Sequence, residues 1–143
     1  MSLDQPSETW DWADVDTVLA LLPTFEDPNF KPCEWESSRR LEDGSWSMPY
    51  PIYCAPVEEL YSLIAKLWIH PYELLPEDPP EIELQRLVFT ADYFATASVN
   101  QVRRYFALCK RRERFCDGYI EAEFIDGTVV AALHRMQTLR GDV

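Results

Sequence analysis

The stretch CKRRERFCDG, Cys109 to Gly118, packs three arginines, a lysine, a glutamate, an aspartate and two cysteines into ten residues. Three chemistries could use such a set. A cysteine beside guanidinium groups can ionise and act as a nucleophile, with a histidine as its base. Clustered arginines can grip a phosphate or carboxylate through paired N–H donors. Thiols and imidazoles can hold a metal where several converge.

The first chemistry has one weak candidate, Cys116, with His134 as the only base suggested for it. A phosphatase-like C-x5-R pattern is absent: six positions after Cys109 stands Phe115, and six after Cys116 stands Ala122. The third chemistry lacks ligands, since His70 and His134 are the only histidines and lie far apart in sequence. No metal and no cofactor are therefore expected. A phosphate loop needs several glycines ahead of a helix, and Gly44, Gly118, Gly127 and Gly141 are not so arranged. Glu58 with Glu59, and Glu121 with Glu123, read as ordinary surface carboxylates. The second chemistry fits best, with Arg103, Arg104, Arg111 and Arg114 as a candidate anion or partner site.

Charge limits what that site could take. The net charge is −12, and a field of that sign repels nucleic acid and anionic membranes. It is uneven: residues 1–96 carry 5 basic and 19 acidic side chains, residues 97–143 carry 8 and 6. Six of those eight basic residues fall between Arg103 and Arg114. Nucleic acid is thus disfavoured; the partner stays unnamed, the candidates being an anionic ligand or acidic protein at the arginines, or a basic protein at the acidic surface, which could also mimic nucleic acid. No apolar run approaches the roughly 20 residues that span a bilayer. The four cysteines show no C-x-x-C spacing, and no signal peptide is visible, so they read as reduced, cytoplasmic thiols.

The elements that position these residues come next. Asp11 can cap a helix whose apolar positions are Val15, Val18, Leu19 and Leu22, ended by Pro23, with loop to follow. Trp35 and Trp46 flank a polar stretch with Asp43-Gly44, a turn signal for a short hairpin. The proline-spaced MPYPIYCAP after it must be extended. Pro56 suits the first turn of a helix with Val57, Leu60, Ile64, Leu67 and Trp68 on one face. The pattern predicts a further helix from Ile82, carrying Leu84, Leu87, Val88 and Ala91.

Ser98 and Gln101 fit a capping box at the start of the arginine-rich helix. On a helical wheel Val99, Val102, Tyr105, Phe106, Cys109 and Cys116 share a sector of about 120°. Arg103, Lys110 and Arg114 stand together on another side, with Arg104 and Arg111 beside them. The charge run then reads mainly as an outer face, either solvated, paired with acidic neighbours from the first two thirds, or open to an anion. Glu113 is the exception. It falls between Val102 and Phe106, on the apolar face, and should be mostly buried. It would then accept hydrogen bonds from backbone amides or an arginine, with Arg86, Arg112 and Arg135 as candidates. For the last segment, alternation around Asp126-Gly127 suggests a hairpin, whereas Val129, Leu133 and Met136 have helical spacing.

CKRRERFCDGYIEAEFIDGTVVAALHRM resembles the C-terminal signature of an uncharacterised bacterial family of unknown function. That pattern runs R-x-x-R-F-C-x-G, then two helical stretches separated by a glycine. Arg111, Arg114, Phe115, Cys116 and Gly118 match it. WSMPYPIYCAPVEELYSLI is similar to the family's aromatic-proline segment and the helix after it. The resemblance covers most of residues 45–138 and not the first forty. It implies two helices at the end, near 117–126 and 128–138, and carries no activity or catalytic residue.

The expectation is a mainly α-helical, bundle-like single domain over 1–143, with a short hairpin and a disordered segment at 1–10. The expected function is a non-enzymatic binding or interaction module built on the arginine-rich helix. The alternative is a small enzyme using Cys116 or the arginines.

Overall fold

The protein is known from a computed structural model that describes residues 11–141; the segment expected to be disordered, 1–10, lies outside the described residues. Helix α1 (Trp12–Leu19) starts where Asp11 accepts a hydrogen bond from the Asp14 amide at 3.1 Å, which satisfies one of the open donors of the first turn. It buries Val15 and Val18. Pro23 does not end the helical region as expected. It sits in the first turn of a short second helix, α2 (Leu22–Glu26), where the missing N–H costs nothing, and α2 buries Leu22 and Phe25.

Strands β1 (Cys33–Glu36) and β2 (Tyr50–Tyr53) form an antiparallel hairpin, Cys33 opposite Tyr53 and Glu36 opposite Tyr50. Asp43-Gly44 forms its tip, as the turn signal indicates. Gly44 takes φ +89°, and Asp43 accepts from the Ser45 amide at 2.9 Å. The paired strands lie further from that tip than Trp35 and Trp46 alone suggest.

Helix α3 (Ala55–Lys66) buries Val57, Leu60 and Ile64. α4 (Val99–Phe115) begins with the Ser98–Gln101 capping box. α5 (Tyr119–Ile125) and α6 (Thr128–Gly141) are separated at Gly127, whose φ is +81°. The fold is thus mainly α-helical with a short hairpin. One hydrophobic cluster draws on α1 through α6, with α4 packed on α3, α5 and α6. No helix among the described residues is long and apolar enough to cross a membrane.

Between α3 and α4 the expected helix from Ile82 does not form. The chain makes two 3-10 turns, Leu84–Arg86 and Ala91–Ala95, and Val88 is exposed. Tertiary packing overrides the helical spacing here. Phe89 and Phe94 lie edge-on to Tyr105 of α4, at 4.8 and 4.9 Å between ring centroids, and a continuous helix would not point both rings inward. The carbonyls such a helix would use internally find donors elsewhere, in the arginines of α4.

Candidate functional site

The 17 residues of α4 divide into two halves. In the first half, Arg103 and Arg104 are 2% and 0% exposed, so they do not belong to an outer basic face. Arg103 donates from Nε to the Leu67 carbonyl at 2.8 Å, from Nη2 to the Trp68 carbonyl at 2.9 Å, and from Nη1 to Asn100 Oδ1. Burial pulls its pKa down to about 10, which leaves it charged at neutral pH.

Arg104 forms a two-pronged ion pair with Asp78, one prong at 2.7 Å, and the Asp78 side chain is 3% exposed. It also donates to the Glu73 carbonyl and to the Tyr93 hydroxyl. Asp78 accepts in addition from the Leu75 amide at 2.8 Å and from Gln101 Nε2 at 3.1 Å. Burial pushes the Asp78 carboxyl up, but the hydrogen bonds from Arg104, Leu75 and Gln101 outweigh it and hold the pKa below the ordinary value. Charges taken this far from water need such complete pairing.

The reason these arginines turn inward lies in the segment they meet. Residues 67–98 contain no α-helix and no strand, so their buried carbonyls have no backbone ladder to satisfy them. Arg103 and Arg104 serve those of Leu67, Trp68 and Glu73. Arg112 serves Leu84 at 3.4 Å and Leu87 at 3.0 Å, and Arg135 serves Ala97 at 2.8 Å.

Near the end of α4, Glu113 is half-buried and no arginine reaches it among the described residues. It accepts instead from the Gly118 amide at 2.8 Å, the Ile120 amide at 2.8 Å and the Tyr53 hydroxyl at 2.7 Å. The expected arginine partners are employed elsewhere: Arg86 with Glu83, Arg112 with carbonyls and the Tyr119 hydroxyl, Arg135 with Ala97. Glu121 completes the join to the hairpin, accepting from Trp35 Nε1 at 3.0 Å and from the Cys33 thiol at 3.3 Å. Gly118 allows the close approach: its φ is +89°, and a Cβ there would stand 2.7 Å from Trp35 Cζ2. Tyr53, Trp35 and Glu121 have no counterpart in the sequence reading, because residues 60 or 86 apart give no local signal.

Arg111, Arg114, Phe115 and Cys116 are exposed. The Arg111 guanidinium lies 5.2 Å over the Tyr72 ring and 5.6 Å from the Phe115 ring, and its Nε donates to the Tyr72 hydroxyl at 3.2 Å. Tyr72 is also a wall of a cleft of about 470 Å³, completed by Leu74, Glu83, Leu84, Gln85 and Arg86. The structure therefore splits the four arginines: Arg103 and Arg104 serve the interior, and Arg111 and Arg114 stand in solvent.

The thiols divide the same way. Burial, then the bond to Glu121, pushes the Cys33 pKa up to about 12, and burial pushes Cys109 higher still; neither is a nucleophile at neutral pH. Cys116 is exposed at the C-terminal end of α4. His134, the base such a nucleophile would need, pairs with Glu26 at 3.3 Å. No three metal-ligating side chains converge among the described residues.

A model of a family of unknown function, DUF6508, matches residues 11–142. The chain belongs to the DUF6508 family. The match takes in α1, α2 and the whole hairpin, so the DUF6508 unit begins well before the aromatic-proline segment. No curated protein and no solved structure matches the chain.

Proposed function

We propose that this DUF6508 protein is a non-enzymatic binding module that takes an acidic protein segment at the C-terminal end of α4. One observation carries the reading: the Arg111 guanidinium lies against the Tyr72 and Phe115 rings, among the described residues only its Nε is committed to a hydrogen-bond partner, and that partner, Tyr72, lines a cleft. Its terminal amino groups are left for a carboxylate or phosphate. A guanidinium already held in place loses little freedom on binding. Arg114 adds a second exposed cation, and Leu74 and Phe115 supply exposed apolar contact. In the R-x-x-R-F-C-x-G pattern, taken as the family's signature, Gly118 serves packing. Arg111, Arg114, Phe115 and Cys116 face solvent, which fits recognition better than core construction.

Charge favours a short acidic segment over nucleic acid. Beyond about 8–10 Å in physiological salt a local cation pair acts alone, and a long polyanion would also meet the acidic remainder of the molecule. A reducing, cytoplasmic setting in a bacterium goes with this reading, supported by four cysteines in thiol form and by the family resemblance. The single hydrophobic cluster supports treating the chain as one domain.

Binding of a fluorescent oligo-glutamate peptide, followed by anisotropy, tests the site. Wild type should bind at low salt and weaken steeply as salt rises. Arg111→Glu should abolish binding with the melting temperature unchanged. Absence of binding at low salt, or equal binding by Arg111→Glu, overturns the proposal. Charge reversal at Arg103 is not a suitable test, because it would bury an unpaired carboxylate.

A further inference from the structure

The cleft beside Arg111 is built for more than carboxylates. Its two walls come from the irregular chain between α3 and α4, Tyr72 and Leu74 on one side and Glu83 to Arg86 on the other. Neighbouring arginines of α4 tie down each wall. Arg111 Nε donates to the Tyr72 hydroxyl at 3.2 Å, and Arg112 Nη2 donates to the Leu84 and Leu87 carbonyls at 3.4 and 3.0 Å. Walls held in this way need little rearrangement when a ligand arrives.

Charge and apolar surface are separated by depth. Leu84 is buried and Tyr72 half-buried, so the inner part of the cleft presents an aliphatic chain and a ring. The charged side chains stand at the mouth, Arg86 and Glu83 being 85% and 67% exposed. Their mutual contact is 3.6 Å in open solvent, which holds Arg86 only weakly. Against Leu74 and Leu84 a carboxylate would lose water with no cation to replace it. An aromatic ring would lose nothing there. The volume, about 470 Å³, falls within the ~300–1,000 Å³ of pockets that enclose small ligands, and so has room for one large ring.

We propose that the acidic segment bound at Arg111 carries an aromatic residue that enters this cleft, with carboxylates to either side of it on Arg111 and Arg86. The inference rests on Arg111 binding an acidic segment, and it adds what selects one such segment from others. A ring anchored in a pocket and surrounded by polar contacts is the arrangement that carries most of the affinity in protein recognition. Glu83 then acts as a competitor within the chain: it occupies Arg86 until a carboxylate of the partner takes its place.

Anisotropy titrations of the full chain test this with two peptides of equal length and charge, three glutamates on either side of a phenylalanine or of a serine. Wild type should bind the phenylalanine peptide roughly tenfold more tightly. Leu74→Ser should remove that preference and bind the serine peptide as wild type does. Glu83→Gln should tighten both peptides and Arg86→Gln should weaken both. Melting temperatures should hold, since all three side chains are exposed. Equal affinities for the two peptides, a preference that survives Leu74→Ser, or affinities indifferent to Arg86→Gln overturn the inference and leave the Arg111 site standing. Binding of neither peptide at low salt removes both. Competition by phenylpropionate as strong as by the peptide would put a small aromatic acid in the cleft. A dimer in sedimentation velocity that Leu74→Ser abolishes would put a second copy there. Either result equally overturns the inference.

Discussion

Arg103 and Arg104 lie in the second turn of α4 and Arg111 and Arg114 in its last turns, yet the first pair is buried and the second stands in solvent. The residue type is the same and so is the helix. What differs is the neighbour. The first pair faces the 67–78 segment, whose carbonyls and Asp78 need donors; of the second pair, Arg111 lies against Tyr72 at the edge of a cleft and the exposed Phe115 ring, and Arg114 is exposed. A charged helix face is therefore not a functional category. Its meaning depends on whether the chain opposite has polar groups that cannot satisfy themselves.

The largest effect should come from breaking the buried half. Arg104→Ala strands Asp78 in a desolvated site and should cost about 3–5 kcal/mol in a urea melt. Arg111→Ala in the exposed half should change stability by less than about 0.5 kcal/mol while removing peptide binding. If the two variants melt alike, the contrast between the halves is wrong.

The join between α4 and the hairpin comes next. Glu113→Ala leaves two amides and a hydroxyl short of an acceptor and should cost about 2–3 kcal/mol. Glu113→Gln should fall between wild type and alanine. One oxygen can still accept from Tyr53 and Ile120, but the new amide would confront the Gly118 N–H. Gly118→Ala should cost about 1–3 kcal/mol, through its left-handed backbone and the approach to Trp35. Trp35→Ala in the same chain should relieve only the contact part.

A smaller effect separates carboxylates with and without an arginine. The folded pKa of Asp78 is lowered, so its stabilisation is present above the unfolded value of about 3.9 and fades as pH falls through the folded one. Glu123 is shifted the other way, raised first by burial and only partly offset by the Tyr105 hydroxyl. Its ionisation opposes folding as pH rises past the unfolded value, and that penalty is complete above the raised folded one. At neutral pH, Asp78→Asn should lower the melting temperature, and Glu123→Gln should leave it level or raise it slightly. The smallest structural effect is chemical: iodoacetamide should label Cys116 first in the native protein, with Cys33 and Cys109 protected until unfolding.

Elements with local signals are legible in the sequence. Asp11, Pro56, the Ser98–Gln101 box and Gly127 each mark a helix boundary through groups within a few residues, and the structure places boundaries there. The direction of Arg103 and Arg104 is not legible. A helical wheel assumes one buried face, whereas α4 is covered on a second side by a segment with no periodicity of its own. The same covering defeats the predicted helix at 82–91, where ring packing and donated hydrogen bonds replace the ladder. Glu113 shows an intermediate case: its need for donors follows from its place on the wheel. Its use of the Gly118 and Ile120 amides follows from a turn that the wheel does not describe.

The carbonyls of Leu67, Trp68, Glu73, Leu84, Leu87 and Ala97 all accept from arginines on α4 or α6. A protease would meet this stretch as an extension of those helices rather than as a loop. Releasing any part of it leaves a buried or half-buried guanidinium short of acceptors, so small openings are costly and the segment should let go together with α4. Native-state cleavage between 67 and 98 should accordingly track global unfolding, with the same denaturant dependence.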